Sequence, residues 1–230
     1  MKWKFFAVAG SVLIYGCAAQ GVSRIDYKAP TPVKVNNEIT VNKPCAQVWD
    51  KLVNQLSKSF YIVNSIDKAS RTINLSFRTN RPSEYADCGS THRTYVQGYK
   101  IETYDFETAG PSEFKVATPK QPDKNYSYYV NINRNTMLEG RAVVNIAPSE
   151  RDSSSTVITV NTRYIWTLKV NGQVFAEHFL GKVNPEKRLP EETRTIEFTT
   201  NWPGKGIGND LTICCSKGKL EGEILDMINK

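Results

Sequence analysis

From Ile158 to Leu168 the side chains alternate with a period of two: Ile158, Val160, Tyr164, Trp166 and Leu168 are apolar or aromatic, with Thr162 among them. That period places one face of an extended strand in a core and the other in solvent, and a helix would scatter the same residues around its axis. The chain is therefore committed to building a sheet. Ile73, Leu75 and Phe77 alternate after turn-forming residues 67–70, so residues 61–63 and this run read as a hairpin. Residues 96–107 read as a strand. Tyr126, Tyr128, Val130 and Ile132 share one face, and Ala142, Val144 and Ile146 share another. Residues 149–155 read as a turn. Asn171-Gly172 reads as a two-residue hairpin turn, with 174–180 returning. Residues 195–199 make a further strand after a proline-bearing loop, 211–215 a short extended piece, and 81–93 and 110–125 read as loops.

Two helices flank these strands. Pro44 suits a first helical turn, where its missing N–H costs nothing. Val48, Trp49, Leu52, Val53 and Leu56 follow at helical spacing, predicting a helix to about Ser59. Ser216 can cap a final helix whose stripe is Leu220, Ile224, Leu225 and Ile228. Two amphipathic helices each need an apolar surface, and one face of an antiparallel sheet supplies it. The expectation is one α+β domain over 37–230, a curved antiparallel sheet packed on an N-terminal helix and a long C-terminal helix.

The N-terminus carries an address. Lys2 and Lys4 precede a run without charge from Phe5 to Tyr15, and Gly16 stands directly before Cys17. The run is about half the roughly 20 apolar residues a membrane-spanning helix needs. It reads as a secretory signal over 1–16 that ends close to a lipobox, with Cys17 as first mature residue and lipid (palmitate) carrier. Tyr15 departs from the small residue usual before the final glycine, and Ala18-Ala19 could serve as an ordinary cleavage site instead. In bacterial lipoproteins the residue after the acylated cysteine helps choose the destination. Ala18 in place of an aspartate favours the outer membrane, with the chain facing the periplasm. Residues 17–36 are polar, contain Pro30 and Pro32, and read as a flexible tether.

The 230 residues, 40% hydrophobic and 23% charged, suit one large domain or two small ones. A formal charge of +7 is spread without a basic run, so no nucleic-acid footprint is present. Beyond Cys17, the thiols of Cys45, Cys88, Cys214 and Cys215 form an even set in an oxidising compartment. No C-x-x-C pair occurs, which argues against a zinc ribbon or a thioredoxin-like site. Adjacent side chains of an extended segment point to opposite faces, so Cys214 and Cys215 should reach different partners. Either two bridges use all four thiols, or one bridge forms and Cys45 stays free.

Catalytic constellations are mostly absent from the sequence. His92 falls in a predicted loop after Cys88, and His178 on a strand face with Val174, Ala176 and Leu180. No zinc-protease motif and no nucleophile elbow is present. Gly204-Lys205-Gly206-Ile207-Gly208 has the lysine inside the glycines and no convincing helix after it, so it reads as a flexible loop. No catalytic residue, metal ligand or cofactor is expected.

Two motifs resemble a known group. Tyr85-Ala86-Asp87-Cys88-Gly89 and Cys214-Cys215-Ser216-Lys217-Gly218-Lys219-Leu220-Glu221 are similar to paired motifs, Asp-Cys-Gly and Cys-x-Ser-Thr-Gly-x-Leu-Glu, of uncharacterised Gram-negative outer-membrane lipoproteins. Lys217 stands where threonine is usual. Residues 44–77 resemble the helix-grip modules of the BamC component of outer-membrane β-barrel assembly, over one helix and a hairpin. The resemblance implies a helix-grip-like fold, a Cys88–Cys214 disulfide, and a binding or assembly role; the thiol count then leaves Cys45 and Cys215 as a possible second pair. The function expected is a non-enzymatic lipoprotein that binds another envelope component. The alternative is a carrier or sensor of an apolar ligand held between the sheet and the last helix, with a hydrolase third.

Overall fold

The computed structural model of the protein describes residues 21–118, 126–152, 154–178, 181–206 and 211–228. The expected signal 1–16, Cys17 and the stretch to Gln20 lie outside the described residues. In chain order the elements are β1 (Val22–Lys28), β2 (Glu38–Val41), α1 (Cys45–Leu56), β3 (Ile62–Asp67), β4 (Thr72–Thr79), a 3-10 turn (Pro82–Glu84), β5 (Ala86–Asp87), β6 (Ser90–Gln97), β7 (Lys100–Glu107), β8 (Ser112–Ala117), β9 (Tyr126–Pro148), β10 (Thr156–His178), β11 (Val183–Thr199), β12 (Gly204–Lys205), β13 (Ile213–Ser216) and α2 (Lys219–Asp226).

The axis of the molecule is the pair β9–β10. Each strand is 23 residues long, and they pair without a break from Thr156↔Pro148 to His178↔Tyr126. The main sheet runs β11-β10-β9-β4-β3, with β2 on β10 and β8 on β9. Strands this long outrun one core, so the two halves of the pair serve two. Near the 149–155 turn, the inner face carries two rows across four strands: Phe77, Gly140, Tyr164 and Phe198, then Thr79, Leu138, Trp166 and Ile196. Val48, Trp49, Leu52 and Leu56 of α1, and Leu220, Ile224 and Leu225 of α2, bury against that face. At the far half a separate sheet, β1-β6-β7, lies over β8 and β9. Tyr95 meets Tyr129 at 6.1 Å between ring centres, and Phe106 stacks on Phe114 at 5.7 Å.

The described chain is 61% strand and 12% helical, a mostly β, sandwich-like arrangement. This overturns the expected helix-grip-like α+β fold with a long C-terminal helix. α2 spans only 8 residues, although Leu220, Ile224, Leu225 and Ile228 are buried. The excess strand comes from segments read as loops. Residues 181–194 belong to β11, which is an edge strand, and an edge tolerates Pro185 because no ladder is needed on its outer side. The segment expected as a tether contains β1, paired with β6 from Val22↔Val96 to Lys28↔Ser90. Ser112–Ala117 is a strand on β9, and Gly98, at φ +57°, divides residues 96–107 into the end of β6 and all of β7.

Asn171-Gly172 is not a turn. Gly172 lies inside β10 opposite Ile132 and Leu189, beside a register shift on the β11 side. A Cβ there would stand 2.9 Å from Val130 Cγ1, so the glycine makes room for close packing between strands.

Candidate functional site

The two motifs converge. Asp87 of β5 pairs with Cys215 of β13, Ala86 pairs with Ser216, and Cys88 is disulfide-bonded to Cys214. Each glycine has a structural cause. Gly89, at φ +77°, donates its N–H to Asp87 Oδ1 at 2.8 Å, and a Cβ would stand 2.1 Å from the Lys28 carbonyl oxygen. Gly218, at φ +73°, opens α2 and donates to Ser216 Oγ at 2.9 Å. Lys217 donates its backbone N–H to Tyr85 O at 2.9 Å and its ammonium to Ser83 O at 2.6 Å. The second expected bridge is not formed: Cys45 and Cys215 are free thiols. Cys45 opens α1 and accepts from Thr156 Oγ1 at 3.4 Å, whereas Cys215 reaches the Asp87 carbonyl oxygen at 3.5 Å. Burial pushes the Cys215 thiol up from its ordinary range.

Behind this clamp lies a buried polar cluster. Glu221 is fully buried and accepts the Tyr164 hydroxyl at 2.9 Å from both carboxylate oxygens and Thr200 Oγ1 at 2.8 Å. Tyr61 donates to Glu223 at 2.6 Å, and Tyr85 to the same oxygen at 3.4 Å. Burial, and the carboxylate beside each, push the Tyr164 and Tyr61 phenols up. In the sequence Glu221 stood only as the last residue of the second motif, with no role of its own. Its spacing to Ile224, Leu225 and Ile228 carried the signal, because 221, 224, 225 and 228 recur at helical intervals. The crevice between sheet and α2, lined by Tyr61, Leu75, Phe77, Ala142, Leu220 and Ile224, leaves no room for a water molecule.

An open groove of about 520 Å³ lies on the small sheet. Asp26, His92 and Asp105 are direct partners across β1, β6 and β7. His92 Nδ1 is 2.7 Å from Asp105 Oδ1, and its Nε2 is 3.3 Å from Thr94 Oγ1. His92 is therefore on a strand rather than in a loop, and the two aspartates escaped sequence reasoning because only strand register brings them to it. An acid–imidazole–hydroxyl row has the order of a hydrolytic triad. Here it lies on a solvent-facing surface, and β6 is the central strand, so its amides serve the ladders on either side. His178 lies on β10, its ring 5.0 Å from that of Tyr126. Among the described residues no group of three or more His, Cys, Asp or Glu could hold a metal ion, and no helix is long and apolar enough to cross a membrane. Gly204-Lys205 is β12, paired with β13, and a Cβ on Gly204 would stand 1.9 Å from the Glu197 carbonyl oxygen.

Among the described residues the β3 edge of the main sheet has no strand beyond it. β3 ends the strand order, all six of its residues are exposed, and Ile62, Val63 and Ile66 present apolar side chains beside exposed Phe60. Compared with known proteins, the chain matches no family model, no curated protein and no solved structure.

Proposed function

We propose that this chain is a non-enzymatic lipoprotein of the outer membrane, held through acyl chains on Cys17 and facing the periplasm, that binds another component of the cell envelope. The observation that carries this reading is the β3 edge. Among the described residues this six-residue strand pairs with β4 alone, and the outward N–H and C=O groups of such an edge are a template for an added strand. Native edges are usually blunted by proline or inward charge. Here the defences are a register shift between Val63 and Ser65 and the terminal Asp67-Lys68 pair, and Phe60, Ile62 and Ile66 offer apolar contacts alongside.

Two experiments test it. A photoreactive residue at Ile62, irradiated in living cells, should give one dominant adduct with an envelope protein. Replacing Ile66 by proline should abolish that adduct; scattered or absent adducts would end the binding reading. A Cys17→Ser variant should accumulate as precursor or move to soluble fractions. Unchanged membrane fractionation and mobility would end the anchoring part.

A further inference from the structure

We infer that the β6–β7 turn end of the small sheet is a membrane-contacting surface that sits in the headgroup layer of a phospholipid leaflet. Gly98 has φ +57°, and among the described residues nothing lies within 4 Å of where its Cβ would be. Tyr99 is 106% exposed, Ile101 69% and Val22 50%. Val22, Val96 and Ile101 are direct partners across β1, β6 and β7, so their side chains share the outer face in one apolar row at that end. Tyrosine is the residue type that pairs an apolar ring with a polar tip, and it is enriched where membranes meet water. The hairpin is braced, because Lys100 Nζ lies 2.5 Å from Glu177 Oε1 on β10.

Charge along the same face agrees. Behind the apolar row stand Arg24, Thr94 and Thr103. Behind these come Asp26, His92 and Asp105, and last Lys28, Ser90 and Glu107. On this face Arg24 is the charge nearest the tip and Asp26, Asp105 and Glu107 stand behind it, and the Glu177 carboxylate at the tip is paired with Lys100, so no unpaired carboxylate of this face opposes an anionic lipid surface there. The chain itself shows where a membrane would be. Gly21 packs at this end, where an added Cβ would stand 2.7 Å from Gln97 Oε1 and 2.9 Å from Ala117 Cβ. Cys17 precedes Val22 by five residues, which reach about 17 Å at full extension. An acylated Cys17 thus holds this end, and not the β3 edge, near the bilayer. The inference rests on the proposed anchor for that direction, while the exposed row stands without it.

The test uses the full chain carrying Tyr99→Trp, and separately Phe60→Trp, in vesicles of phosphatidylethanolamine and phosphatidylglycerol with and without brominated acyl chains. Relative to wild type, the added Tyr99→Trp emission should move to shorter wavelength and be quenched by brominated lipid, and the added Phe60→Trp emission should do neither. An unquenched Tyr99→Trp, equal quenching of both variants, no association with vesicles, or a blue shift of Tyr99→Trp before vesicles are added (the mark of a second copy covering the row) would each overturn the inference. Mass analysis of the N-terminal peptide separates the two ideas. Acyl chains on Cys17 with an unquenched Tyr99→Trp refute the tip and keep the anchor. A bare Cys17 with a quenched Tyr99→Trp refutes the anchor and keeps the tip.

Discussion

The fully buried Glu221 carboxylate accepts the Tyr164 hydroxyl across the interface between α2 and the main sheet, at 2.9 Å from each oxygen. A buried carboxylate is costly unless it is hydrogen-bonded, and Tyr164 and Thr200 each donate a hydroxyl to it. The short helix is thereby tied to β10 by a directional contact as well as by its apolar stripe. Tyr164→Phe removes one of the two donors and should cost roughly 1.5–3 kcal/mol, the range for hydrogen bonds to charged groups. Equilibrium denaturation measures it, and wild-type stability in Tyr164→Phe would contradict this role.

Cys88 and Cys214 are 126 residues apart in sequence, and their bridge joins the loop ahead of β6 to the strand ahead of α2. In the chain-entropy model, closing so long a loop contributes about 5 kcal/mol. Replacing both cysteines by serine should lower unfolding free energy by several kcal/mol. Reductant should do the same to wild type and nothing further to the double variant. A reductant effect on the double variant would point to a different bridge.

Gly140 lies between Phe77 and Tyr164 in the inner row, and a Cβ there would stand 2.1 Å from Phe77 Cε1. Gly140→Ala should therefore cost about 1–3 kcal/mol through overpacking. Adding Phe77→Leu frees the space, so the second substitution should cost less in the Gly140→Ala background than alone. Additive costs in that cycle would show that the ring does not set the need for glycine.

Alkaline pH should destabilise the protein. Burial pushes the Tyr61, Tyr95 and Tyr164 phenols up, and hydrogen bonds to Glu177 and Glu84 raise Lys100 and Lys219. Each group has a folded-state value above its unfolded one, so its contribution is complete below the unfolded value of about 10 and is lost as pH rises toward the folded value. Denaturation midpoints should be lower at pH 11 than at pH 8. Tyr164→Phe should show a smaller decline, and a midpoint flat across that interval would contradict the shifts.

Local signals were legible where a period had one explanation. The apolar stripe from Val48 to Leu56 yields α1 at Cys45–Leu56, one residue past Pro44, because 3.6-residue spacing and a proline at the entry both act within the segment. Alternation at Ile73, Leu75 and Phe77 yields β4, whose three apolar side chains are buried. Asn171-Gly172 had the local look of a turn, yet it sits inside a 23-residue strand. Residues 181–194 had the look of a loop, yet they form a long sheet edge. In both places the pairing partner, and not the segment's own preference, decides the conformation.

What the sequence determined alone is therefore the set of faces: which side chains on α1, β4, β10 and α2 need a core. These follow from period and backbone sterics, which operate over a few residues. The tertiary structure decided the register. It set Asp26 and Asp105 on either side of His92, buried Glu221 under Tyr164, and left the β3 edge and the Tyr99 turn exposed, whereas the Cys88–Cys214 bridge was already implied by the motif resemblance. Contacts between residues tens of positions apart depend on loop closure and on competition among strands for partners, and neither is written in any short window of the chain.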